Sequence, residues 1–467
     1  MSAAAETKVV VVGGGVAGLA AGMALAQAGY GVEVLERKPY VGGRASSYQH
    51  PALQEVVDCQ HVLLGCCTNL VHFYEQCGVA AKIRWYDTLT FLQPGGRASR
   101  IAPNGLPAPF HSSMSFLRAP MLSLADKLGI VRGLLGFLRG LPPDSAESVA
   151  DWLKRTGQTE RSIRHFWEPV LVGALNDGFE NCSVHYAGQV FRESFLKSAQ
   201  GGRLGIPALP LSELYDAAAH LIEAHGGKVY LRAGVDALTQ ASDGRWCVRT
   251  GNGDHVADAV ILALPFEQVQ KLVLSLPAAD GAVAAAFAAS MGRFVHAPIT
   301  TVQLWYDREI TDLDHAVLLD TTIQWMFHKS RIRRSAGTGS YLELTISNSK
   351  AQLHMERAEI LASALRELEL FFPEVRKAKL LKSGVLKEAR ATFSVLPGLD
   401  AVRSAAQSPW PGIVLAGDWT HTGWPSTMEG AARSGYLAAE AVAANAGHAR
   451  SFLQPELPAT GLMRLFG

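Results

Sequence analysis

The pattern of apolar and polar positions predicts a strand, a helix and a second strand at the start of the chain. Val9 to Val12 is an unbroken run of β-branched residues, which is typical of a strand covered on both faces of a parallel sheet. The Ala- and Leu-rich stretch from Val16 to Ala28 predicts a helix that Gly29 ends, and Val32 to Leu35 predicts the next strand. This order predicts an α/β fold that begins with a parallel sheet.

Alternating apolar and polar residues return later in the chain and predict a second domain. We expect these segments to form one mixed sheet. They are Ile83 to Ile101 with a turn at Pro94-Gly95-Gly96, Ile299 to Trp305, Ala316 to Leu319, Ile323 to His328 and Tyr341 to Ser347. Helical patterns occur at Asn69 to Cys77, Ser212 to Ala224, Glu356 to Phe372 and Glu429 to Ala443.

A glycine motif lies between the first strand and the first helix. Gly13, Gly15 and Gly18 have the spacing G-x-G-x-x-G, in which the glycines permit a tight turn, close approach to a pyrophosphate, and packing of helix on strand. Val16 and Ala17 open the helix, so the positive end of its dipole faces the phosphates. This context predicts a Rossmann-like dinucleotide-binding unit. The alternative is a glycine-rich turn without a ligand.

The residues after the second strand indicate which dinucleotide is bound. Glu36 lies at the strand's tip, near the offset of about 20 residues at which a carboxylate binds the ribose hydroxyls. Gly42 and Gly43 let backbone amides approach the diphosphate, and Arg44 brings a cation to it. Together with Arg37, this segment resembles the FAD signature of flavin amine oxidases and phytoene desaturases. The resemblance implies that the cofactor is FAD rather than NAD.

A second cofactor segment lies near the end of the chain. Gly417 and Asp418 follow the predicted buried strand Ile413 to Ala416, at the carboxyl edge where open α/β sheets bind ligands. Met428 opens a helix whose N-terminus can support the flavin. Gly-Asp followed by a helix resembles the second FAD signature of the same families, in which the residue matching Val235 contacts adenine through its backbone.

The resemblance implies a flavin amine oxidase-like architecture, α/β in its cofactor domain and α+β overall. A discontinuous FAD-binding domain is interleaved with a substrate-binding domain of mixed sheet and helices. We expect the FAD-binding domain to comprise residues 1–78, 205–290 and 385–450, the substrate-binding domain 79–204 and 291–384, and a C-terminal tail 451–467.

Composition narrows the classes of partner. The chain has 467 residues, with 43 basic against 42 acidic side chains, so no electrostatic argument favours a nucleic acid. We expect no metal site, because no C-x-x-C pair occurs among the six cysteines; these are interpreted as free thiols of a cytoplasmic protein. The first strand begins by Lys8, which leaves no room for a signal peptide, and no apolar run is long enough to span a bilayer.

A long apolar segment, Phe110 to Leu141, has two interpretations. It forms a core that lines an apolar pocket, or it contacts the inner face of a membrane with arginines at the headgroups. Its charged residues are Arg118, Asp126, Lys127, Arg132 and Arg139. The basic run Arg331 to Arg334 is interpreted as a solvated turn, with contact to anionic lipid as the alternative.

Nearly the whole chain resembles the flavin amine oxidase and phytoene desaturase superfamily and, more narrowly, the hydroxysqualene dehydroxylases, which form squalene for hopanoid synthesis. The narrower resemblance rests on Gln60 to Leu70, Phe166 to Asn176, Gly205 to Leu214 and Gly417 to Gly435. One departure is Val57-Asp58-Cys59, where the family has Asp-Asn-Gly.

The resemblance implies the replacement of an allylic hydroxyl by hydride from reduced flavin, on a long apolar isoprenoid substrate. Because hydroxide is a poor leaving group, a general acid is needed. We expect it to be among Asp58, His61, His421 and Glu429. His61 is preferred because it titrates near neutral pH; a structural histidine bonded to the backbone is the alternative. Asp418, also a candidate acid, is expected to bind the flavin instead.

Three other functions stay open. A carotenoid-type desaturase would share the fold and cofactor and use the flavin oxidatively. A flavin amine oxidase is less favoured because no amine-binding carboxylate is evident. A flavin-bearing lipid-binding protein without turnover is the non-enzymatic alternative, and the polar residues near both FAD signatures argue against it. The chain has no second G-x-G-x-x-G for a nicotinamide nucleotide, so a separate electron donor is expected. The sequence carries no indication of an oligomeric state.

Overall fold

The predicted strand–helix–strand unit is present in the computed structural model, which describes residues 7–144, 147–276, 281–335, 337 and 339–466. The strands in these ranges are β1 (Lys8–Val12), β2 (Gly31–Glu36), β3 (Tyr48–His50), β4 (Glu55–Val57), β5 (Leu63–Leu64), β6 (Ile83–Tyr86), β7 (Leu89–Gln93), β8 (Arg97–Ile101), β9 (Leu204–Pro207), β10 (Lys228–Leu231), β11 (Val235–Gln240), β12 (Trp246–Thr250), β13 (Gly253–Ala257), β14 (Ala259–Leu262), β15 (His296–Tyr306), β16 (His315–Leu318), β17 (Trp325–His328), β18 (Ser340–Ser347), β19 (Leu380–Phe393) and β20 (Ile413–Leu415).

The helices of the same ranges are α1 (Val16–Gln27), α2 (Thr68–Gln76), α3 (Ser113–Arg118), α4 (Leu124–Leu138), α5 (Val149–Arg155), α6 (Glu160–Ser162), α7 (Glu168–Leu175), α8 (Val184–Phe191), α9 (Leu211–Ala224), α10 (Phe266–Val273), α11 (Gly281–Met291), α12 (Lys329–Arg333), α13 (Arg357–Glu369) and α14 (Met428–Asn445). Single π-helical turns extend α6 and α8.

The first sheet is parallel, with strand order β10-β2-β1-β14-β20. Its central strand is covered on both faces, which explains the unbroken valine run from Val9 to Val12. Helix α1 packs against α14, and a Cβ added at Gly435 of α14 would lie 2.3 Å from the Ala17 carbonyl oxygen. Close contact between the two helices therefore depends on this glycine.

The second sheet has seven strands in the order β19-β15-β18-β17-β16-β7-β8 and gathers most of the alternating segments, as predicted. Two details differ from the prediction. Strand β6 pairs with β9 in a separate three-stranded sheet instead of joining this one. The expected domain boundary at residue 385 falls inside β19, which pairs with β15 along most of its length.

Helices α3 to α8 form a layer over an aromatic core. Phe137 of α4 stacks on Trp152, and Trp152 meets Trp167 edge to face at 5.0 Å between ring centroids. A Cβ added at Gly133 would approach both tryptophans at 3.0 Å, so α4 lies directly on these rings. The segment Phe110 to Leu141 thus contributes to a core, but through one side of α4 only. No helix within the described ranges is long and apolar enough to cross a membrane.

Candidate active site

The glycine turn leaves no room for side chains. Gly13 has φ +109°, and a Cβ there would lie 2.5 Å from the Ala263 carbonyl oxygen. A Cβ at Gly18 would lie 1.9 Å from the Gly13 carbonyl oxygen. Helix α1 starts at Val16 after Gly15, and among the described residues no side chain caps its N-terminus. These features fit the binding of a diphosphate at the start of α1. Ala17, the second residue of α1, lies at this end of the helix.

Glu36 marks the ribose end of the site. Its carboxylate is buried beside the glycine turn, where Oε2 accepts a hydrogen bond from the Gly14 amide (2.8 Å) and Oε1 accepts one from the Lys38 amide (2.7 Å). The Ala233 amide donates to the Glu36 carbonyl oxygen at 2.8 Å, which brings Val235, the first residue of β11, to the same edge. Arg37 is exposed there. These positions agree with adenosine binding.

Two further glycines line the turn on its other side. Gly42 and Gly43 have φ angles of +105° and +64°, and the Gly42 amide donates to the Gly14 carbonyl oxygen at 2.8 Å. Arg44, the next residue, forms an ion pair with Asp418. The two predicted cofactor segments, 374 residues apart, are therefore joined in the structure.

The second cofactor segment is held by the start of α14. The Gly417 amide donates to Ser434 Oγ at 2.8 Å, and Asp418 also accepts a hydrogen bond from Ser426 Oγ. Thr427 caps α14 by accepting from the Gly430 amide. Met428, the first residue of α14, accepts a hydrogen bond on Sδ from the Tyr215 hydroxyl at 3.2 Å.

Comparisons with known proteins agree with this geometry. A sequence profile described as "Flavin containing amine oxidoreductase" matches residues 16–443. The chain belongs to this family. Its cofactor is FAD, and the cradle of glycines, Glu36 and the uncapped start of α1 fits that group. The predicted fold class and cofactor are thereby confirmed.

Relatives and solved structures cover nearly the whole chain. The zeta-carotene desaturase of Synechocystis sp. is 26% identical over 94% of this chain and 97% of its own. The 15-cis-phytoene desaturase of Arabidopsis thaliana is 25% identical over 93% of this chain and 80% of its own. Cyclohexylamine oxidase from Brevibacterium oxydans has a TM-score of 0.66 at 18% identity, covering 94% of this chain and 99% of its own. An oxidoreductase from Methanosarcina mazei has a TM-score of 0.69 at 19% identity, covering 92% and 98%.

Asp58 does not suit the predicted role of general acid in this flavin-dependent oxidoreductase. It is buried, with Oδ1 2.7 Å from Lys329 Nζ and Oδ2 2.9 Å from an Arg333 guanidinium nitrogen. Ser47 Oγ donates to it as well, at 2.8 Å. Burial alone would raise the pKa of Asp58, but the charges of Lys329 and Arg333 outweigh burial and hold that pKa at about 2. The carboxylate is therefore ionised and has no proton to donate.

Lys329 is the central residue of a buried charge cluster, which we define as Asp58, Gln60, Lys329, Arg333 and Glu343. The Lys329 side chain is only 2% exposed, and its Nζ lies 2.6 Å from Gln60 Oε1 and 3.2 Å from Glu343 Oε2. The Gln60 amide donates to Glu343. Burial raises the pKa of Glu343, although the charge of Lys329 opposes the rise.

This cluster was not predicted from the sequence. Lys329 lies two residues before the basic run Arg331 to Arg334, which was interpreted as a solvated turn, whereas the structure has a short helix, α12, at this place. Within that run Arg333 pairs with Asp58, and Arg331 pairs with Asp314 at 3.0 Å. The interpretation as a solvated turn is wrong for Arg333, whose side chain is 14% exposed; Arg331 is 38% exposed but lies in a helix rather than a turn. The available signal was the isolated Asp58 in an apolar stretch, since a buried carboxylate needs a cationic partner.

The buried charge cluster holds the loop that carries His61. The Asp58 carbonyl oxygen accepts a hydrogen bond from Gln303 Nε2 at 3.0 Å, and Gln60 Nε2 donates to the His61 carbonyl oxygen at 2.8 Å. His61 itself is half-buried, with Nδ1 2.7 Å from the Cys59 carbonyl oxygen. A carbonyl can only accept, so Nδ1 carries a proton and Nε2 is the other titrating atom. Burial lowers the pKa of His61, and the bond to Cys59 offsets part of that effect.

The other two predicted acids are His421 and Glu429. The His421 side chain is exposed, which contradicts a proton-donor role inside a site that excludes water. Glu429 is fully buried and accepts hydrogen bonds from the Asn69 amide (3.2 Å), the Asn69 side chain (3.0 Å) and the Leu70 amide (2.8 Å). Burial raises the pKa of Glu429 to about 7 against the effect of these bonds. The carboxyl group thus joins α14 to the start of α2, which makes it a structural connection.

Proposed function

We propose that this protein removes the hydroxyl group of hydroxysqualene and replaces it with hydrogen, giving squalene. The observation that carries the proposal is that segments resembling hydroxysqualene dehydroxylases, although far apart in sequence, contact one another in the fold. Leu63 pairs with Gly205, and Asn69 bonds to Glu429, so three of the four segments are in direct contact. In the fourth, the Asn176 side chain donates to the Ala297 carbonyl oxygen and to Thr392 Oγ1 of the second sheet.

In the proposed reaction, the protein's side chains bind the cofactor and donate one proton to the substrate. Reduced FAD, when bound, supplies a hydride. Glu36, Arg44 and Asp418 hold the dinucleotide. The hydroxyl leaves as water after taking a proton, and His61 Nε2 is the atom that we assign to deliver it. The lowered pKa of His61 makes its protonated ring a stronger acid than that of an ordinary histidine, while fewer molecules carry that proton at neutral pH. The buried charge cluster keeps the His61 loop in place.

A carotenoid-type desaturase is the second candidate. It is favoured by the relatives at about 25% identity, which are zeta-carotene and phytoene desaturases matched over more than nine-tenths of this chain. Such an enzyme would remove hydride from a polyene and would need an electron acceptor. In either case we propose that electrons are exchanged with a separate protein or a diffusing molecule, because the chain has one dinucleotide motif.

An anaerobic titration distinguishes the two candidates. Purified protein is photoreduced, mixed with hydroxysqualene in detergent, and followed by flavin absorbance and by analysis of extracted lipid. Reoxidation of flavin with one squalene per flavin supports the dehydroxylase. The absence of reoxidation, together with reduction of the oxidised flavin by phytoene, would replace that proposal with a desaturase. Absence of reaction with both lipids would refute both assignments.

A further inference from the structure

Helix α4 has apolar residues on the side that faces solvent. Its buried side consists of Asp126, Ile130, Gly133 and Phe137. The opposite side carries Leu124, Leu128, Val131 and Leu135, which are 69%, 63%, 45% and 57% exposed. Their spacing of four, three and four residues places them in one row. A helix on the surface of a globular protein normally has polar residues there, so this row calls for a partner outside the described chain.

Neighbouring segments extend the row into a patch. Phe110, Met114 and Leu117 are exposed beside α4, and Lys127 Nζ donates to the Leu117 carbonyl oxygen at 2.7 Å. A 3₁₀ turn, Gly461–Leu465, adds Leu462 and Leu465. The Leu462 amide donates to the Ala108 carbonyl oxygen at 2.9 Å, which fixes this turn next to the Phe110 loop. We call this surface the α3–α4 face; contiguous apolar patches of this kind mark interaction sites.

The charges within the segment 106–143, which supplies most of the α3–α4 face, are almost all of one sign. Four basic residues lie on or beside the two helices, and Arg464 lies in the C-terminal turn. The four are Arg118, Lys127, Arg132 and Arg139. The sole acidic residue between positions 106 and 143 is Asp126, which is buried and caps α4 with Ser123. Two acidic residues on segments next to α4, Glu147 and Glu160, each pair with an arginine, Arg155 and Arg164. The face itself therefore presents leucines together with cations.

We propose that the α3–α4 face docks on an anionic lipid bilayer, inserting its leucines among the acyl chains while the basic residues contact lipid phosphates. A second copy of this chain fits less well, because two such faces would bring ten cations together across the interface. The helices lie on the bilayer without crossing it. The inference is independent of the substrate, since it rests on surface residues outside the cofactor site.

Vesicle sedimentation of the flavin-loaded protein tests this proposal. Vesicles of phosphatidylcholine alone are compared with vesicles that contain one-third phosphatidylglycerol, at low and at high salt. We expect binding to the anionic vesicles, weakened by salt, and a loss of about tenfold or more in the double variant L128E/L135E. The variant R118E/R139E should lose the preference for anionic lipid. The control L381E changes a leucine that is 55% exposed on β19 and should bind like the unaltered protein.

Three results would overturn the proposal: unaltered protein that stays in the supernatant, L128E/L135E that still sediments, or L381E that is equally impaired. Light scattering of the same samples identifies a second copy as the partner if the unaltered protein is a dimer and L128E/L135E is a monomer. The flavin absorbance of each variant shows that it has folded. Because sedimentation does not depend on turnover, failure here is distinct from failure of the proposed function.

Discussion

Replacement of Lys329 by Met tests whether the buried charge cluster is essential for the fold. The variant keeps an apolar stem of similar length and removes the ammonium group. Asp58 and Glu343 then stay buried, with Arg333 as the remaining cation bonded to Asp58 among the described residues. Removal of one partner from a buried ion pair typically costs about 3–5 kcal/mol, because the other charge is left without compensation.

The pH dependence of this loss has a defined sign. In the unaltered protein, Asp58 has a pKa of about 2 against an ordinary 3.8. Asp58 therefore contributes about 2 kcal/mol to the free energy of unfolding above pH 3.8, and this contribution is lost as the pH falls through about 2. Without Lys329 the pKa of each carboxyl group rises, so both groups favour the protonated folded state. We therefore expect the destabilisation by Lys329→Met to be larger at pH 8 than at pH 5.

Urea unfolding at pH 5 and pH 8, monitored by circular dichroism and flavin fluorescence, measures the loss of stability in Lys329→Met and its dependence on pH. Lys377→Met is the control, since Lys377 is 68% exposed and its pair with Glu374 should contribute at most about 1 kcal/mol. A loss below about 1 kcal/mol for Lys329→Met, or equal losses at pH 5 and pH 8, would refute the idea of an ionised and essential cluster.

Three further predictions concern the cofactor and the candidate acids. Gly18→Ala should reduce bound FAD about tenfold or more, because the added Cβ would meet the Gly13 carbonyl oxygen. The control Gly251→Ala has open space around the added Cβ and should keep a normal ratio of flavin to protein absorbance. Equal ratios in the two variants would contradict the argument that Gly18 is needed for FAD binding. The folded state binds the Glu429 proton more tightly than the unfolded chain does, because the pKa of Glu429 is raised from 4.5 to about 7. Its contribution to the free energy of unfolding is therefore fully present below pH 4.5, and about 3 kcal/mol is lost as the pH rises through about 7. Glu429→Gln should flatten that dependence in thermal unfolding, and an unchanged slope would show that another group titrates. For hydroxysqualene reduction, kcat/KM should rise as the pH falls from 8 to 6 and should be flat in His61→Gln; a variant with the original pH profile would exclude His61 as the acid.

Local patterns were sufficient to predict the cofactor and the helices that frame its binding region. The helix predicted from Val16 to Ala28 is observed as Val16–Gln27, and the one predicted from Glu429 to Ala443 as Met428–Asn445. Both follow from residues that are close in sequence, namely glycines at a turn and small residues along a buried helix. The ion pair between Arg44 and Asp418 joins two such local motifs, but it was not predicted, because each residue was assigned to the cofactor alone.

Long-range pairing of charges could not be predicted in the same way. Lys329 lies 271 residues from Asp58, and a lysine next to three arginines normally points to solvent. The orientation of helix α4 was left open for a related reason, since both of its sides are apolar and periodicity alone cannot tell which one is covered. The structure buries Asp126 and Gly133 and exposes Leu128, the reverse of what polarity suggests. The tryptophans packed on Gly133 decide the orientation.

The packing of α1 against α14 has a consequence for how the protein is made. Strand β20 adds to β14 through the pair Val260 and Ile413, and Gly435 closes on Ala17, so the first helix is covered by one of the last. On the ribosome, a chain that has not yet extended beyond residue 413 lacks β20, Asp418 and α14. We therefore expect flavin uptake to follow the synthesis of α14. We expect chains that end before α14 to bind no flavin and therefore to be colourless.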